Sequence, residues 1–307
     1  MPPLPLIPRL RRTLAALCGA LVLVSAAPAF ATAEPVTLPR SEQRLVTAKA
    51  NGLAYRILIS RPAGTAPVGG WPVIYILDGT QLFPLASELV RALSVRPEGT
   101  GVVPAIVVGV GHPPLEGLDP TRRALDYTPA GSPEPGTGGA DAFLSFLTDE
   151  LQPALARELP LDPARQTLIG HSYGGLFVLH AFFQRPQAFS RFVALSPSIW
   201  FGDRTVLRGE AGLPARLAAT GPRGLFISVG EFEQSPDPAR PVPPARIAKL
   251  QANRMVDNAR ELADRLAALP GAPVQVAFHF MPGENHGSIV ATSLPRALAF
   301  ALAPAAP

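Results

Sequence analysis

The sequence predicts an α/β fold in which helices cover both faces of a mostly parallel central sheet. Short apolar runs rich in β-branched residues recur along the chain, as expected for strands that are buried on both faces. These runs are Val73–Leu77, Val102–Val110, Thr167–Ile169, Phe192–Leu195, Leu225–Val229 and Val274–Phe280. Helical patterns lie between them, at Leu82–Leu93, Ala140–Glu158, Leu176–Phe183, Ile247–Leu269 and Ile289–Leu302. No linker-like segment interrupts this alternation, so we expect a single domain over residues 34–307.

Two further segments frame this series. The runs Arg44–Lys49 and Leu53–Ser60 flank Asn51-Gly52, a strong signal for a two-residue turn, so we expect an N-terminal β-hairpin. The stretch Gly111–Gly139 is the richest in turn residues and predicts a long loop at one end of the sheet. Loops of that length are more often functional than idle.

Residues 1–33 have the pattern of a secretory signal peptide. Three arginines precede the apolar run Leu14–Val24, and small-x-small cleavage patterns end at Ala31 and Ala33. The run is shorter than the roughly 20 residues that a membrane-spanning helix needs, although an uncleaved N-terminal anchor is the alternative. We therefore expect a periplasmic or secreted protein with no stable membrane anchor.

Composition excludes several classes of protein. Gly (27 residues) and Pro (37 residues) together stay below the roughly 25–30% that marks low complexity. The single cysteine, Cys18, excludes a disulfide scaffold, a thiolate zinc site and a catalytic dithiol. Removal of the leader would lower the net charge from +4 to +1, and no basic cluster is interleaved with aromatic residues. Nucleic acid is therefore not an expected partner.

The pentapeptide Gly170-His171-Ser172-Tyr173-Gly174 carries the clearest chemical signal. It matches G-x-S-x-G and lies directly between a predicted strand and a predicted helix. In that context a sharp turn presents the serine hydroxyl at the carboxyl edge of the sheet, and flanking glycines avoid collisions between strand and helix. The pattern alone can be a chance loop, but the strand–turn–helix context predicts that Ser172 is a nucleophile.

A serine nucleophile needs a base and an orienting acid, which follow it in the chain in α/β hydrolases. His286 lies in a polar loop after the last strand and before the last helix, where the base is expected, although a surface-loop histidine is the alternative. The acid is expected after the strand Leu225–Val229, where Glu231 and Glu233 are both available. We favour Glu233, three residues past the strand-end Gly230, and expect Glu231 to be an ordinary loop carboxylate.

An oxyanion hole needs two backbone N–H groups. Tyr173, the residue after the nucleophile, is expected to supply one. Thr80, in the turn Asp78-Gly79-Thr80 after the first apolar strand, is expected to supply the other, because glycine would let the backbone approach the substrate. A plain type I turn is the alternative. No ligand-spaced His/Asp/Glu cluster and no phosphate loop is present in the sequence, so we expect neither a metal nor a cofactor.

Several of these segments occur together in a known family. The segments, in order, are Tyr75–Gly79 (YILDG), Gly170–Gly175 (GHSYGG), Ser196–Trp200 (SPSIW), Val229–Glu233 (VGEFE) and Glu284–Ser288 (ENHGS). Over about residues 40–303 the chain resembles the putative-esterase (esterase D-like) α/β hydrolases. Within them it is most similar to the periplasmic siderophore esterases that open the trilactone of enterobactin and salmochelin. Arg123–Pro129 (RALDYTP) is also similar to a segment common in that branch.

The resemblance implies a secreted serine esterase whose small-molecule substrate is a ferric catecholate siderophore with ester linkages. Such a substrate is trianionic, so we expect Arg122 and Arg123 to bind it. The alternative for both arginines is a solvent-facing position or ion pairs with Asp119 and Asp126. Two other functions stay open: a general carboxylesterase or acyltransferase of the same fold, and a binding protein on an inactive hydrolase scaffold.

Overall fold

A computed structural model of the chain describes residues 33–113, 117–271 and 273–303. The predicted signal peptide lies outside the described residues except for its last position, Ala33, so that prediction is not tested. By its internal contacts the chain divides at Leu38, and the residues from Leu38 onward form one compact unit. The division into a leader and one catalytic domain stays a prediction.

Eight strands of the described residues form one sheet. They are β1 Ser41–Thr47, β2 Ala54–Ser60, β3 Trp71–Leu77, β4 Ile106–Gly111, β5 Leu161–His171, β6 Arg191–Leu195, β7 Arg223–Gly230 and β8 Val274–Met281. Their order in the sheet is β1-β2-β4-β3-β5-β6-β7-β8. Only the pairs β1/β2 and β2/β4 are antiparallel, and all other neighbours are parallel. The predicted, mostly parallel sheet is confirmed.

Helices connect the strands. They are α1 Gly79–Leu93, α2 Pro97–Thr100, α3 Pro120–Tyr127, α4 Ala140–Ser145, α5 Gln152–Glu158, α6 Tyr173–Gln184, α7 Phe201–Arg204, α8 Leu213–Ala218, α9 Pro244–Asn253, α10 Met255–Ala267 and α11 Ile289–Leu302. Short 3-10 segments at Pro186–Ala188, Thr205–Gly212 and Glu231–Glu233, and a π segment at Phe146–Leu151, complete the described helical structure. No helix among the described residues is both long and apolar enough to span a lipid bilayer.

Two hydrophobic clusters show that both faces of the sheet are covered. Phe83 of α1 and Leu298 of α11 belong to one cluster, which includes Ile74 and Ile76 of β3. Helices α6 and α10 contribute to the other cluster, which includes Tyr75 and Leu77 of the same strand. Successive β3 residues thus point to opposite faces and are buried on both. This explains the continuous apolar strand sequences.

The N-terminal hairpin is present, but its turn is longer than the two residues predicted. The last register pair is Thr47 with Ala54, so residues 48–53 form the loop. Gly52 has a positive φ of 71°, whereas a tight I′ turn needs positive φ at both central residues and Asn51 has none. The Asn51 side chain instead accepts from the Leu53 N–H and donates to the Tyr55 hydroxyl.

One predicted helix and one predicted loop also need correction. The stretch Ile247–Leu269 is not one helix, because Arg254 adopts a left-handed conformation (φ 47°) that separates α9 from α10. The Gln234 side chain accepts from the Val256 and Asp257 N–H groups at the start of α10, and this distant cap leaves no local sequence signal. The predicted loop Gly111–Gly139 contains α3, whose N-cap is the Asp119 carboxylate.

Candidate active site

The site lies at the carboxyl ends of neighbouring parallel strands. Ser172 directly follows β5, Glu233 follows β7, and His286 follows β8. Strands β5, β6, β7 and β8 are adjacent and parallel, so their carboxyl ends share one edge of the sheet. The topology therefore brings together three side chains that are more than 50 residues apart in sequence.

Ser172 lies on the sharp turn that the motif predicts. Its backbone has φ 62° and ψ −119°, a region that L residues rarely adopt and that costs on the order of 1–3 kcal/mol. The Ser172 N–H donates to the Leu195 carbonyl at 3.0 Å, and its own carbonyl accepts from Leu176 at 2.9 Å. A Cβ at Gly170 would lie 2.3 Å from the Gly174 carbonyl oxygen, so only glycine fits before the turn.

His286 lies between the serine and the acid. Its Nε2 is 2.9 Å from the Ser172 hydroxyl oxygen, and its Nδ1 is 2.5 Å from Oε2 of Glu233. The His286 side chain is 41% exposed whereas Glu233 is 1% exposed, so one end of the hydrogen-bonded chain faces solvent and the other is enclosed. This arrangement can move a proton from the serine to the imidazole while the carboxylate holds the ring.

The second oxygen of Glu233 is fully used. Oε1 accepts from the Ser196 hydroxyl at 2.6 Å and from the Gly230 N–H at 2.7 Å. These two donors fix the orientation of the carboxylate, so that Oε2 stays directed at His286 Nδ1. Glu231 differs, because its Oε2 accepts from the Gly283 N–H at 2.8 Å in the loop that carries His286. Glu231 therefore ties two loops together and is more than the ordinary loop carboxylate that we expected.

His171, beside the nucleophile, supports the same loop. Its Nε2–H donates to the His286 carbonyl at 2.8 Å, and the two rings lie 4.7 Å apart between centroids. Burial, together with the nearby His286, lowers the pKa of His171 to about 3. His171 is therefore neutral at ordinary pH. In this form its Nε2–H still donates to the His286 carbonyl, and the ring adds no positive charge beside His286.

The two predicted oxyanion donors begin neighbouring helices. Tyr173 is the first residue of α6, and Thr80 is the second residue of α1. The preceding strands, β5 and β3, are adjacent and parallel, with Ile169 opposite Ile76, so both helices start at the same edge. The first N–H groups of a helix have no intrahelical acceptor, so both are suited to hold a developing negative charge.

Gly79, in the Thr80 turn, lies against the neighbouring strand β4, and its predicted closeness to a substrate stays a prediction. A Cβ there would lie 2.6 Å from the Gly109 carbonyl carbon and the Val110 nitrogen, so glycine allows α1 to pack on β4. Beside the turn, Gly111 keeps open the space next to the Thr80 amide, since a Cβ at 111 would lie 2.9 Å from that nitrogen.

Both predicted substrate-binding arginines have buried carboxylate partners. Arg123 makes two hydrogen bonds to Asp78, at 2.7 and 3.0 Å, instead of pairing with Asp119 or Asp126. Arg122 bonds Asp126 at 3.2 Å, and its guanidinium lies 5.0 Å from the centre of the Tyr55 ring. These contacts account for both side chains without a substrate, and a role for either in substrate binding stays a prediction.

The chain matches a family model and known proteins over most of its length. The model of putative esterases matches residues 49–264. The ferri-bacillibactin esterase BesA of Bacillus subtilis strain 168 is 35% identical over 288 residues, which cover 90% of this chain and 94% of that protein. The chain belongs to the putative-esterase family. The siderophore enterobactin esterase of Emericella nidulans is 33% identical and is covered to 97% of its length.

Solved structures confirm that this putative esterase has the α/β-hydrolase fold. The crystal structure of the BES protein from Bacillus cereus superposes with a TM-score of 0.79 at 37% identity, covering 89% of this chain and 98% of that one. The siderophore hydrolase EstB from Aspergillus nidulans superposes with a TM-score of 0.77 at 31% identity. The resemblance found from the motifs alone is confirmed.

No pattern in the sequence of this putative esterase assigned a role to the residues around the three central side chains. Ser196 had a usable signal, because it is a polar residue at the carboxyl end of the apolar strand that lies between the Ser172 and Glu233 strands. The contact of His171 with the His286 loop had no such signal in the sequence, because it depends on how two distant loops pack together. Among the described residues, no group of three or more His, Cys, Asp or Glu side chains is placed to hold a metal ion.

Proposed function

We propose that this protein is a serine esterase that cleaves ester bonds of a siderophore through an acyl-enzyme. One observation carries the proposal: a strained serine, a half-exposed histidine and a buried glutamate form a continuous hydrogen-bonded chain. That arrangement fits nucleophilic attack on a carbonyl carbon. Membership of an esterase family makes a carboxylic ester the substrate bond to test first.

In the proposed first step, the Ser172 oxygen attacks the ester carbonyl carbon while His286 Nε2 takes the hydroxyl proton. The carbonyl oxygen becomes an oxyanion and accepts hydrogen bonds from the Tyr173 and Thr80 amides. Glu233 holds Nδ1–H and stabilises the imidazolium that forms. The tetrahedral adduct then collapses, the ester C–O bond breaks, and His286 returns the proton to the departing alkoxide.

In the second step, water attacks the acyl-enzyme. His286 takes a proton from that water, and the same two amides hold the second oxyanion. Breaking the bond between Ser172 and the acyl carbon releases the carboxylic acid, and His286 gives the proton back to the serine oxygen. Each cycle consumes one water for one ester bond, and the enzyme returns unchanged.

The proposed substrate is a ferric catecholate siderophore with ester linkages. Support comes from similar proteins, since one is named a ferri-bacillibactin esterase and another a siderophore enterobactin esterase, and both are covered over nearly their full length. We also propose that the protein acts after export, in the periplasm or outside the cell. The support is the leader pattern of residues 1–33 in the sequence.

The test is an ester panel on purified protein that contains the ferric trilactone, the iron-free trilactone and a neutral short-chain ester, combined with fluorophosphonate labelling. We expect hydrolysis of the trilactone and one label, found by mass spectrometry on the peptide that contains Ser172. Ser172→Ala should lose both, whereas Ser94→Ala, at the far end of α1, should keep both.

Each other outcome points to a different function. Hydrolysis of the short ester alone would make the protein a general esterase. Products that carry an added alcohol in place of water would indicate an acyltransferase. A protein that binds the trilactone but neither labels nor turns over would be a binding protein, and the proposal would fail.

A further inference from the structure

A cavity lies at the edge of the sheet opposite to the one that carries Ser172, where β4 begins. It has a volume of about 170 Å³ and lies between the last two turns of α1, the end of β2 and the start of β4. The described residues that line it are three arginines, three serines and six apolar residues. Sites for drug-sized molecules measure about 300–1,000 Å³, so this cavity suits a smaller ligand.

The three arginines reach the cavity from different segments. Arg40 precedes β1, Arg61 follows β2, and Arg91 lies in the last turn of α1. Arg61 makes two hydrogen bonds to the Glu42 carboxylate, at 2.9 and 3.1 Å, and Arg91 pairs with Glu88 on its own helix. Arg40 differs, because it forms no ion pair within the described part of the chain and its Nε donates to the Arg61 carbonyl at 3.1 Å. Both of its Nη groups can therefore meet a ligand.

The backbone keeps Arg40 beside the cavity. Its φ of 53° lies in the left-handed region that residues other than glycine seldom occupy. The next residue, Ser41, pairs with Ser60 in the β1/β2 ladder, and the Arg61 N–H donates to the Arg40 carbonyl at 3.1 Å. Strained residues of this kind occur often at ligand sites, where the surroundings hold them in place.

The charges at the cavity leave one cation without a carboxylate. Hydrogen bonds from Arg61 lower the pKa of Glu42, and Glu42 is shared with Arg44, which has a further partner in Glu158. The pKa of Glu88 is lowered by its hydrogen bond from Arg91 and also by the charge of Arg40. Both carboxylates are therefore ionised at ordinary pH and neutralise Arg61 and Arg91. The charge of Arg40 remains, which matches a ligand with a single negative charge.

The α1 wall of the cavity contains a polar group without a partner. Ser87 is 4% exposed, and its hydroxyl makes no hydrogen bond to any described residue. A serine in a helix can donate to the carbonyl of the preceding turn, but Ser87 does not. Buried polar groups are nearly always satisfied, so an unpaired hydroxyl needs an explanation. Ser87 lies one helical turn before Arg91 and lines the same cavity, so its hydroxyl can donate to an oxygen of an anion bound there.

We propose that this cavity binds a small organic carboxylate, whose oxygens accept hydrogen bonds from Arg40 and Ser87 and whose hydrocarbon part packs on Val90, Ala105 and Val107. A planar guanidinium matches the two oxygens of a carboxylate. The apolar half of the lining favours a carboxylate with a hydrocarbon part over an inorganic anion. The site does not include Ser172, so the inference goes beyond the proposed ester hydrolysis and does not depend on it.

The experiment measures binding by isothermal titration calorimetry at one fixed ionic strength. The probes are benzoate, its neutral analogue benzamide, and inorganic phosphate, each titrated into the whole protein. We expect benzoate to bind with a dissociation constant of about 1 mM, as is reasonable for a small ligand held by one charge. Benzamide and phosphate should bind at least about tenfold more weakly, because the first lacks the charge and the second lacks the apolar part.

Four variants locate the binding. Arg40→Ala should weaken benzoate about tenfold, and Arg40→Lys about threefold, because lysine keeps the charge without the planar fork. Ser87→Ala should weaken it about threefold without lowering Tm, since the hydroxyl has no partner to lose. Ala105→Leu fills the cavity and should abolish binding. Arg246→Ala is the matched control, because Arg246 is exposed on α9 and its loss changes the net charge by the same amount.

The outcomes that overturn the inference are distinct. No saturable binding of benzoate by the wild type would show that the cavity is not such a site. Wild-type affinity in both Arg40→Ala and Ser87→Ala would mean that benzoate binds elsewhere, even if Ala105→Leu fails to fold. An equal loss in Arg246→Ala and Arg40→Ala would show an effect of net charge only. Phosphate that binds as tightly as benzoate would contradict the assignment of an organic carboxylate.

Discussion

Two carboxylate pairs at this edge of the sheet are built in opposite ways. Glu233 is buried, but its partner His286 is 41% exposed, and the two side chains share a single short hydrogen bond. Asp78 and Arg123 are both enclosed, at 3% and 13% exposure, and share two hydrogen bonds. The first pair has one member that can reach substrate and water, and the second has none.

We interpret this difference as one of role. The first pair takes part in the proposed proton transfer, and the second pair stabilises the structure around it. In the proposed mechanism, His286 gains and loses a proton twice in each cycle, so its ring must be accessible and its partner must stay ionised. The Asp78–Arg123 pair undergoes no such change and can be closed completely. We therefore expect substitutions in the first pair to affect catalysis more than substitutions in the charged pairs of α3.

The largest expected effect is in the hydrogen-bonded chain itself. Ser172→Ala and His286→Ala should each lower kcat on a simple ester by about 10⁴–10⁶-fold, because both act in one relay. For the same reason the double variant should be scarcely slower than either single one. Circular dichroism should show an intact fold, and a double variant whose loss is the product of the single losses would mean that the residues act independently.

The next effect distinguishes the two glutamates. Glu233→Gln should lower kcat by about 10²–10⁴-fold, because a neutral amide cannot stabilise the imidazolium. Glu231→Gln should cost less than about tenfold, since a side-chain oxygen remains to accept from Gly283. Steady-state kinetics of both variants check this. A larger loss in Glu231→Gln would mean that Glu231, and not Glu233, orients the imidazole. No loss in either variant would indicate that the protein works as a Ser–His pair.

Substitution of Arg122 tests the charged pairs of α3 without changing a contact of the Thr80 turn. Its removal leaves Asp126, which is 1% exposed, without its guanidinium partner, while His112 Nε2 stays 3.0 Å from the carboxylate. We expect Arg122→Ala to lower the free energy of unfolding by about 3 kcal/mol, and to change kcat/KM equally for the ferric trilactone and a neutral ester. Urea denaturation and paired kinetics measure both quantities. A loss confined to the trilactone would restore the direct substrate contact that the sequence suggested.

The smallest effect concerns pH. Burial lowers the pKa of His171 to about 3, so the folded state binds fewer protons here than the unfolded state below about pH 6.5. This residue's contribution to stability is therefore complete above pH 6.5 and is lost as the pH falls towards 3. His171→Gln should reduce the stability difference between pH 7.5 and 4.5 by at most about 2.7 kcal/mol. An unchanged acid dependence in urea titrations would contradict this assignment.

The same contrast between the two pairs explains which contacts of the site the sequence could predict. Ser172, His286 and Glu233 each follow a recognisable apolar strand, and parallel strands bring their carboxyl ends together, so a local pattern and one topological rule place all three. The partner of Arg123 depends on how α3 packs against the end of β3, and no spacing in the sequence encodes that contact. The break at Arg254 was missed for a similar reason, because its cap comes from Gln234, about 20 residues earlier.

The most direct test of the central claim is to trap the acyl-enzyme on Ser172. An ester that deacylates slowly is mixed with the protein, quenched in acid within milliseconds to seconds and digested for peptide mass spectrometry. The account predicts that the acyl mass builds up on the serine of the peptide containing Gly170-His171-Ser172, in step with the first alcohol released, and is absent from Ser172→Ala. Multiple turnovers with no acylation of Ser172, or with Ser172→Ala as active as the wild type, would contradict it.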